Sequence, residues 1–294
     1  MKKIWAVIVT YNPDINRLKD NIEAIVKQVC GVVVVDNASN NVNDIIDIIN
    51  KLKNENSYDI NVIYNDCNKG IASALNIGIK TAYENKNADW IITLDQDTVV
   101  YDNIIKIYKE FYFSPYYNNS IVSFSCLRKD RNYNEKNNSF IDEKGNNDYE
   151  FVKCCITSGN LINVSAWEKI NGFDDKLFID MVDDDFCIRL RINNYKIVRI
   201  NKYGFLHELG DSVKKVKLFG REKVVIFCNS MRKYYLARNT TYIVKKYKLG
   251  FNSEYNKYLF KRITGTILFE KNKVKGLKAY IKGIRDSKKL ICTK

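Results

Sequence analysis

Short apolar runs alternate with helix-like patterns through the first hundred residues, and this alternation constrains the fold most. The strand-like runs are Ile4–Val9, Val32–Val35, Ile60–Tyr64 and Trp90–Leu94. Between them, apolar residues recur at helical spacing. Strands and helices that alternate through short connections form right-handed crossovers. The sequence therefore predicts an α/β fold with a mostly parallel sheet and helices on both faces.

Polar residues follow each of these four runs. Ligands of such sheets bind beyond the carboxyl ends of the strands, so we expect these side chains to share one edge. They are Thr10, Tyr11, Asn12, Asp36, Asn68, Gly70, Asp95 and Asp97. No Gly-x-Gly-x-x-Gly follows the first run, and the edge therefore predicts a mononucleotide site rather than a dinucleotide site.

The carboxylates Asp95 and Asp97 stand one residue apart at the end of the fourth run. Side chains alternate along an extended segment, so both carboxylates point the same way. Two hard oxygen donors can hold Mg²⁺ or Mn²⁺ against a diphosphate, because Mg²⁺ keeps much of its water and needs few protein ligands. An isolated Asp-x-Asp is more commonly a polar turn, so the pair alone does not decide between the two.

The remainder of the chain is less regular. The pattern predicts a helix near 102–113, a strand near 121–125, a polar Asn-rich loop or hairpin over 128–150, order at 151–156, a short helix around 166–170 and a strand over 195–200. Asp183, Asp184 and Asp185 stand at a predicted helix start, where the macrodipole alone favours acidic residues. From about Lys214 onwards the chain is basic, aromatic and helix-like.

Composition indicates a folded protein with an anionic partner. The chain has 294 residues and is 46% apolar, which is enough for a full core. Its formal charge of +14 favours a nucleotide, a nucleic acid or an acidic lipid surface as a partner.

The eight cysteines lack a Cys-x-x-Cys spacing, so we expect reduced thiols and no zinc site. The first apolar run is too short for a signal peptide, and we expect a cytoplasmic protein.

Several motifs occur together in one order: VIVTYN, VVVVDNAS, NKGIASALNIGI, WIITLDQDT, TSGNLIN, NGFDDKLFID, VDDDFCIRLR and LHELGD. On these motifs residues 4–211 resemble glycosyltransferase family 2, the inverting enzymes of GT-A fold that use nucleotide sugars. The Asp-Gln-Asp form with FIDMVDDDFCIR is most similar to the bacterial rhamnosyltransferase branch. One departure is that Val182-Asp183 stands where the family often has Glu-Asp.

The resemblance implies a role for each matching position. Thr10, Tyr11, Asn12, Asp36, Asn68, Gly70 and Asp95 would bind the donor nucleotide, Asp97 with Asp95 and His207 would bind Mg²⁺ or Mn²⁺, Asp183 would be the general base, and Arg189, Gly159 and Asn160 would contact the acceptor or the diphosphate. Lone histidines are more often structural than ligands, and only its position after the acidic cluster favours His207.

The resemblance also implies a reaction and a location. Rhamnose would pass from dTDP-rhamnose, or another sugar from a UDP-sugar, to a growing cell-surface polysaccharide such as a capsule, O-antigen or wall glycan. Acceptors carried on polyprenyl diphosphate would bring the enzyme to the cytosolic face of the inner membrane. Residues 1–213 would form the GT-A domain, with donor binding in 1–100 and acceptor binding in 101–213, and residues 214–294 a basic helical region.

Two other classes fit parts of the sequence. A nucleotidyltransferase that makes an activated sugar also needs an Asp pair, but its Gly-rich basic phosphate loop is missing after the first run. A basic nucleic-acid-binding protein fits the charge and the tyrosines, yet the clustered carboxylates would repel phosphate unless a metal intervened. We therefore do not expect a nucleic-acid partner.

Overall fold

The computed structural model describes residues 3–131, 145, 147–208, 212–218 and 221–292. The chain separates into two compact units. The first comprises Met1–Asp175 with Val182–Glu208, and the second comprises Lys176–Met181 with Leu209–Lys294.

The strands of the first unit form a nine-stranded sheet. They are β1 (Ile4–Thr10), β2 (Val32–Asp36), β3 (Ile60–Tyr64), β4 (Trp90–Asp95), β5 (Val99–Val100), β6 (Ile121–Asp130), β7 (Tyr149–Phe151), β8 (Asn160–Asn163) and β9 (Lys196–His207). Its helices are α1 (Ile15–Val26), α2 (Val42–Asn56), α3 (Gly70–Lys86), α4 (Ile104–Tyr112), α5 (Val164–Lys169) and α6 (Val182–Ile192).

The first four strands form the predicted parallel half of the sheet, in the order β3-β2-β1-β4. Helices cover both of its faces, as the sequence predicts. Ile4, Ala6 and Ile8 of β1 share one core with the buried residues of α1, α2 and α4. On the other face, a Cβ added at Gly78 of α3 would lie 2.5 Å from Val7 Cγ1, so this helix packs directly on the sheet.

The other half of the sheet is mixed, and it is built from the part of the chain whose sequence pattern is less regular. β8 lies antiparallel between β4 and β6, and β9 then pairs parallel with β6. β5 and β7 are both antiparallel to β9. Neither β5 nor β8 can be predicted as a strand from the sequence, because two and four residues are too short to show a period. β6 continues to Asp130, and 132–144 of the predicted loop lie outside the described residues.

The carboxyl-terminal segment of the second unit begins with a hairpin rather than a helix. β10 (Ser212–Leu218) pairs antiparallel with β11 (Arg221–Phe227), and α7 (Ser230–Lys246), α8 (Glu254–Phe269) and α9 (Lys273–Cys292) follow. Val213, Val216, Val224 and Val225 favour extended structure, because β-branched residues are enriched in strands, and this explains the departure from the prediction. No helix in the described part of the chain is both long enough and apolar enough to cross a membrane.

Candidate active site

The Asp95–Asp97 turn lies at the carboxyl end of β4, in the parallel half of the sheet. The Asp95 carbonyl accepts hydrogen bonds from Asn21 Nδ2 at 2.6 Å and from Thr98 N at 3.1 Å. These bonds fix the backbone while both carboxylates keep access to solvent, with side-chain exposures of 31% for Asp95 and 22% for Asp97. The turn therefore presents two accessible oxygen ligands on a rigid support.

His207 ends β9 and brings its ring to the same turn. Its Nε2 lies 3.8 Å from Asp95 Oδ2, and its Nδ1 lies 3.6 Å from Asp97 Oδ1. One ligand atom from each residue can be chosen so that all three lie within 4.8 Å of one another. The short β5 causes this approach, because Val99 pairs with Leu206 and so aligns the turn with the end of β9.

These three side chains fit a small divalent cation. Metal–oxygen bonds of 2.0–2.1 Å place two ligands of Mg²⁺ at most about 4.2 Å apart, so small side-chain rotations close the remaining gap. Two carboxylates and an imidazole suit Mg²⁺ or Mn²⁺, and the exposed side of the turn leaves room for water or phosphate ligands. Of the residues that the structure describes, no other group of three acidic, cysteine or histidine side chains has this geometry.

Asp36 lies beside Thr10, in register on the neighbouring strands. Both side chains are buried, and the Asp36 carboxylate accepts hydrogen bonds from Thr10 Oγ1 at 3.1 Å and from Ser39 N at 3.0 Å. Exposed Tyr64 pairs with Asp36 on the other side. Partial burial and the Asp36 charge raise the pKa of the Tyr64 hydroxyl. Only 1% of Asp36 is exposed, so its carboxylate has little direct access to a ligand. Its contact with a base therefore stays a prediction.

The loop after β1 is tied to both neighbouring strand ends. Tyr11 N donates to Gln96 Oε1 at 2.8 Å, and Asn12 N donates to Ser39 Oγ at 2.8 Å. Asn12 adopts a left-handed conformation with φ of 47°, which an asparagine tolerates well. About half of Tyr11 is exposed, so its ring is accessible to a ligand at this edge.

Asn68 and Gly70 complete the edge at the start of α3. Asn68 Oδ1 accepts hydrogen bonds from Asn37 Nδ2 and Gly70 N, both at 2.9 Å. Gly70 has φ of 82°, where a side chain would be strained, so glycine is required at this position. All four polar clusters that follow the first strands are therefore brought to one edge, as the sequence predicts.

Asp183 and Asp185 occupy the first turn of α6 but have different surroundings. Asp183 is partly exposed, and its Oδ1 accepts a hydrogen bond from Asp184 N at 3.1 Å. Asp185 is fully buried and pairs with Arg189 Nε at 2.7 Å. This contrast leaves Asp183 as the more accessible carboxylate of the two.

Arg189, Gly159 and Asn160 all make contacts within the protein, and their contacts with an acceptor or diphosphate stay predictions. Besides Asp185, the Arg189 guanidinium donates to two carbonyl groups of the α5 turn. Gly159, with φ of 73°, lies against the ring of Phe205. The Asn160 side chain is buried, since it begins a central strand. Its Oδ1 accepts a 2.7 Å hydrogen bond from the Ser123 hydroxyl.

Two arginines near the turn were not identified from the sequence. Arg17 forms an ion pair with Glu208, and this hydrogen bond is the main cause of the raised Arg17 pKa. Arg131 pairs with Asp20 at 2.8 Å, and its Nη1 reaches the Asp97 carbonyl at 3.4 Å. Both lie far from their partners in the sequence, and no local spacing signals such pairs.

The family model for glycosyl transferase family 2 matches residues 5–170, which include the Asp95–Asp97 turn. The chain belongs to glycosyl transferase family 2. This member is 30% identical over 292 residues to the dTDP-rhamnosyl transferase RfbF of Shigella flexneri, covering 95% of this chain and 93% of the relative.

Solved structures share the fold of this family 2 glycosyltransferase. S. aureus TarS, residues 1–349 with UDP-GlcNAc, superimposes with a TM-score of 0.59 at 14% identity, over 97% of this chain and 80% of that one. GalNAc-T7 with UDP, GalNAc and Mn²⁺ gives 0.61 at 14% identity, over 98% and 56%. Family membership confirms the predicted fold and the predicted glycosyl transfer. It does not support the two alternative classes, a nucleotidyltransferase and a nucleic-acid-binding protein.

Proposed function

We propose that this glycosyltransferase moves rhamnose from dTDP-rhamnose to a hydroxyl of a growing cell-surface polysaccharide, with inversion at the anomeric carbon. The observation that carries the proposal is the Asp95, Asp97 and His207 cluster at the edge of a nucleotide-type sheet. The choice of donor is supported by the activity in the name of the Shigella relative, which aligns over 95% of this chain. A UDP-sugar is the alternative donor.

The donor would lie along the edge formed by β1, β2 and β4. We assign the base and ribose to the Thr10–Asn12 loop and Asp36, and the sugar diphosphate to the Asp95–Asp97 turn. The hydrogen bond between Tyr11 N and Gln96 Oε1 supports this arrangement, because it holds the two binding segments together. We assign Asn68 and Gly70 to the nucleotide part of the site.

Asp95, Asp97 and His207 would hold Mg²⁺ or Mn²⁺. When bound, such a cation neutralises the negative charge that develops on the departing diphosphate. The protein contributes rigid placement, since the Asp95 carbonyl and the register between β5 and β9 fix two of the three ligands. Arg17 and Arg131 also lie near this turn, each paired with a carboxylate.

Asp183 would act as the general base. The acceptor oxygen forms a bond to the anomeric carbon while the bond from that carbon to the diphosphate oxygen breaks. The electron pair leaves with dTDP, and the hydroxyl proton passes to Asp183. Partial exposure and a place in the first turn of α6 suit this role. A positioned base contributes roughly 10²–10⁴-fold to the rate.

We also propose peripheral attachment to the cytosolic face of the inner membrane. On either side of the connection between α8 and α9, the last turn of α8 exposes Leu268 and the first turn of α9 exposes Val274, at 56% and 67%. The neighbouring cations are Lys271, Lys273, Lys275 and Lys278. Each Lys near an anionic bilayer contributes on the order of 1 kcal/mol, and apolar side chains insert at the headgroup level. In this proposal residues 1–213 catalyse the sugar transfer, and residues 214–294 attach the enzyme to the membrane.

Release of nucleoside diphosphate from a panel of dTDP-, UDP- and GDP-sugars tests the donor. We expect dTDP-rhamnose to be used at least tenfold more efficiently than any UDP-sugar, measured as kcat/KM. NMR of the product would then show the inverted anomeric configuration. If a UDP-sugar were preferred, dTDP-rhamnose would be wrong as the proposed donor. If the product retained the anomeric configuration, the role of Asp183 as general base would be wrong.

A further inference from the structure

Two buried hydroxyl groups connect His207 with Asp95. Thr98 Oγ1 lies 2.9 Å from His207 Nδ1 and 2.6 Å from Ser158 Oγ. Ser158 Oγ in turn accepts a 3.0 Å hydrogen bond from Asp95 N. Thr98 is fully buried and Ser158 is 1% exposed. A continuous chain of hydrogen bonds thus joins two of the three candidate metal ligands on their protein side.

The sheet fixes both hydroxyls in place. Thr98 directly precedes β5, whose pairing of Val99 with Leu206 aligns Thr98 with His207. Ser158 is held by its neighbour Gly159, whose N–H donates to the Thr93 carbonyl at 2.8 Å. Both positions therefore follow from backbone pairing, and neither depends on a flexible side chain.

The two ring nitrogens of His207 have different neighbours. A histidine binds a metal through an unprotonated nitrogen, so the proton must reside on the other one. His207 Nδ1 lies within hydrogen-bonding distance of Thr98 Oγ1, whereas Nε2 faces Asp95 Oδ2 at 3.8 Å. Asp97 Oδ1 lies 3.6 Å from Nδ1, too far to be its main acceptor.

We propose that Thr98, supported by Ser158, is a positioning residue that keeps the His207 proton on Nδ1 and leaves Nε2 for the divalent cation. Nδ1–H donates to Thr98 Oγ1, and the Thr98 hydroxyl donates to Ser158 Oγ. This inference rests on the proposed metal site. Hydrogen-bonding partners of this kind change metal affinity by about 10–100-fold when they are removed.

The single histidine makes the proton position directly measurable. In protein labelled with ¹⁵N-histidine and free of metal, two-dimensional ¹H–¹⁵N spectra at neutral pH distinguish the two tautomers. We expect Nδ1–H in the wild type and in Thr98→Ser, and an increased Nε2–H population in Thr98→Val, which keeps the shape but removes the hydroxyl. Nε2–H in the wild type would overturn the inference.

Mn²⁺ binding provides the second measurement. Titration of the metal-free protein with MnCl₂, followed by electron paramagnetic resonance, should show a 10–100-fold weaker Kd for Thr98→Val and less than a threefold change for Thr98→Ser. Wild-type affinity in Thr98→Val would overturn the inference. Unchanged affinity in His207→Ala would instead reject His207 as a ligand, and with it both the proposed metal set and this inference.

Discussion

Asp185 and Arg189 lie one helical turn apart in α6 and form an ion pair of 2.7 Å. The carboxylate is completely buried, and only 16% of the arginine side chain is exposed. Arg189 also donates to the carbonyls of Ile170 and Gly172, so the pair fixes α6 to the turn after α5. The acidic cluster at this helix start therefore contains at least one carboxylate with a structural role.

Replacing Asp183 and Asp185 in turn should separate catalysis from stability. We expect Asp183→Asn to reduce kcat by about 10²–10⁴-fold, because the acceptor proton loses its base. Donor affinity and the melting temperature should change little. Steady-state kinetics and thermal unfolding measure both quantities, and near-normal turnover would exclude Asp183 as the base.

Asp185→Asn is the matched variant. It leaves the Arg189 charge without its buried partner, and breaking a buried pair costs on the order of 3–5 kcal/mol. We expect a lower free energy of unfolding in urea. An unchanged unfolding midpoint would show that the pair contributes nothing to stability.

Metal dependence should appear as loss of activity on chelation. We expect EDTA to abolish release of dTDP and added Mg²⁺ or Mn²⁺ to restore it, because the leaving diphosphate needs a cation. Asp97→Asn should weaken Mn²⁺ binding without lowering the melting temperature, since Asp97 is partly exposed. Full activity in excess chelator would contradict the proposed metal site.

Attachment to membranes should depend on the surface around the connection between α8 and α9, which includes Val274 at the start of α9. We expect Val274→Asp to reduce sedimentation with acidic liposomes in low salt, because it places charge where an apolar side chain would insert. Phe113→Asp is the matched control, since Phe113 is 73% exposed in the first unit. If Val274→Asp and the wild type bound acidic liposomes equally, this surface would not be the site of attachment. If the wild type partitioned equally into neutral and acidic vesicles, the lysines would not contribute to binding.

Gly78 should not tolerate a methyl group. An alanine Cβ would lie 2.5 Å from Val7 Cγ1 and 3.0 Å from Val35 Cγ2. Overpacking of this kind costs roughly 1–3 kcal/mol, which exceeds the gain in helix propensity of about 1 kcal/mol at most. We expect Gly78→Ala to unfold at lower urea concentration, whereas Gly250→Ala, with open space around its Cβ, should behave like the wild type.

Cysteine reactivity should differ between buried and exposed thiols. Burial raises the pKa of Cys126 to about 12, whereas Cys67 is exposed. Only the thiolate is alkylated, so iodoacetamide at pH 8 should modify Cys67 and leave Cys126 intact, as mass spectrometry can show. In the unfolded chain the pKa of Cys126 would be near 8.5, below its value in the folded protein. The contribution of the protonated Cys126 thiol to stability is therefore fully present below pH 8.5 and is lost as the pH rises towards 12. Modification of Cys126 in the native protein would contradict its burial.

The sequence was most informative where structure is local. The strands β1 to β4 have long apolar runs, and the polar residues that follow them meet at one edge because parallel strands end together. β5 is only two residues long, and its existence depends on pairing with β9, more than a hundred positions away. The hydrogen bond between Thr98 and Ser158 could not be predicted for the same reason, since nothing in the sequence near either residue shows that the two hydroxyls touch.

The candidate metal cluster draws its residues from β9 as well as from the β4 turn, and β9 is synthesised much later. Asp95 and Asp97 leave the ribosome with the first four strands, but Ser158 and His207 emerge only after a further 60 to 110 residues or so. Chains are synthesised at about 5–20 residues per second, so the two carboxylates precede the candidate third ligand, His207, by roughly 5 to 20 seconds. A chain released before His207 is made would therefore contain the residues of β1 to β4 but lack one member of the candidate cation site.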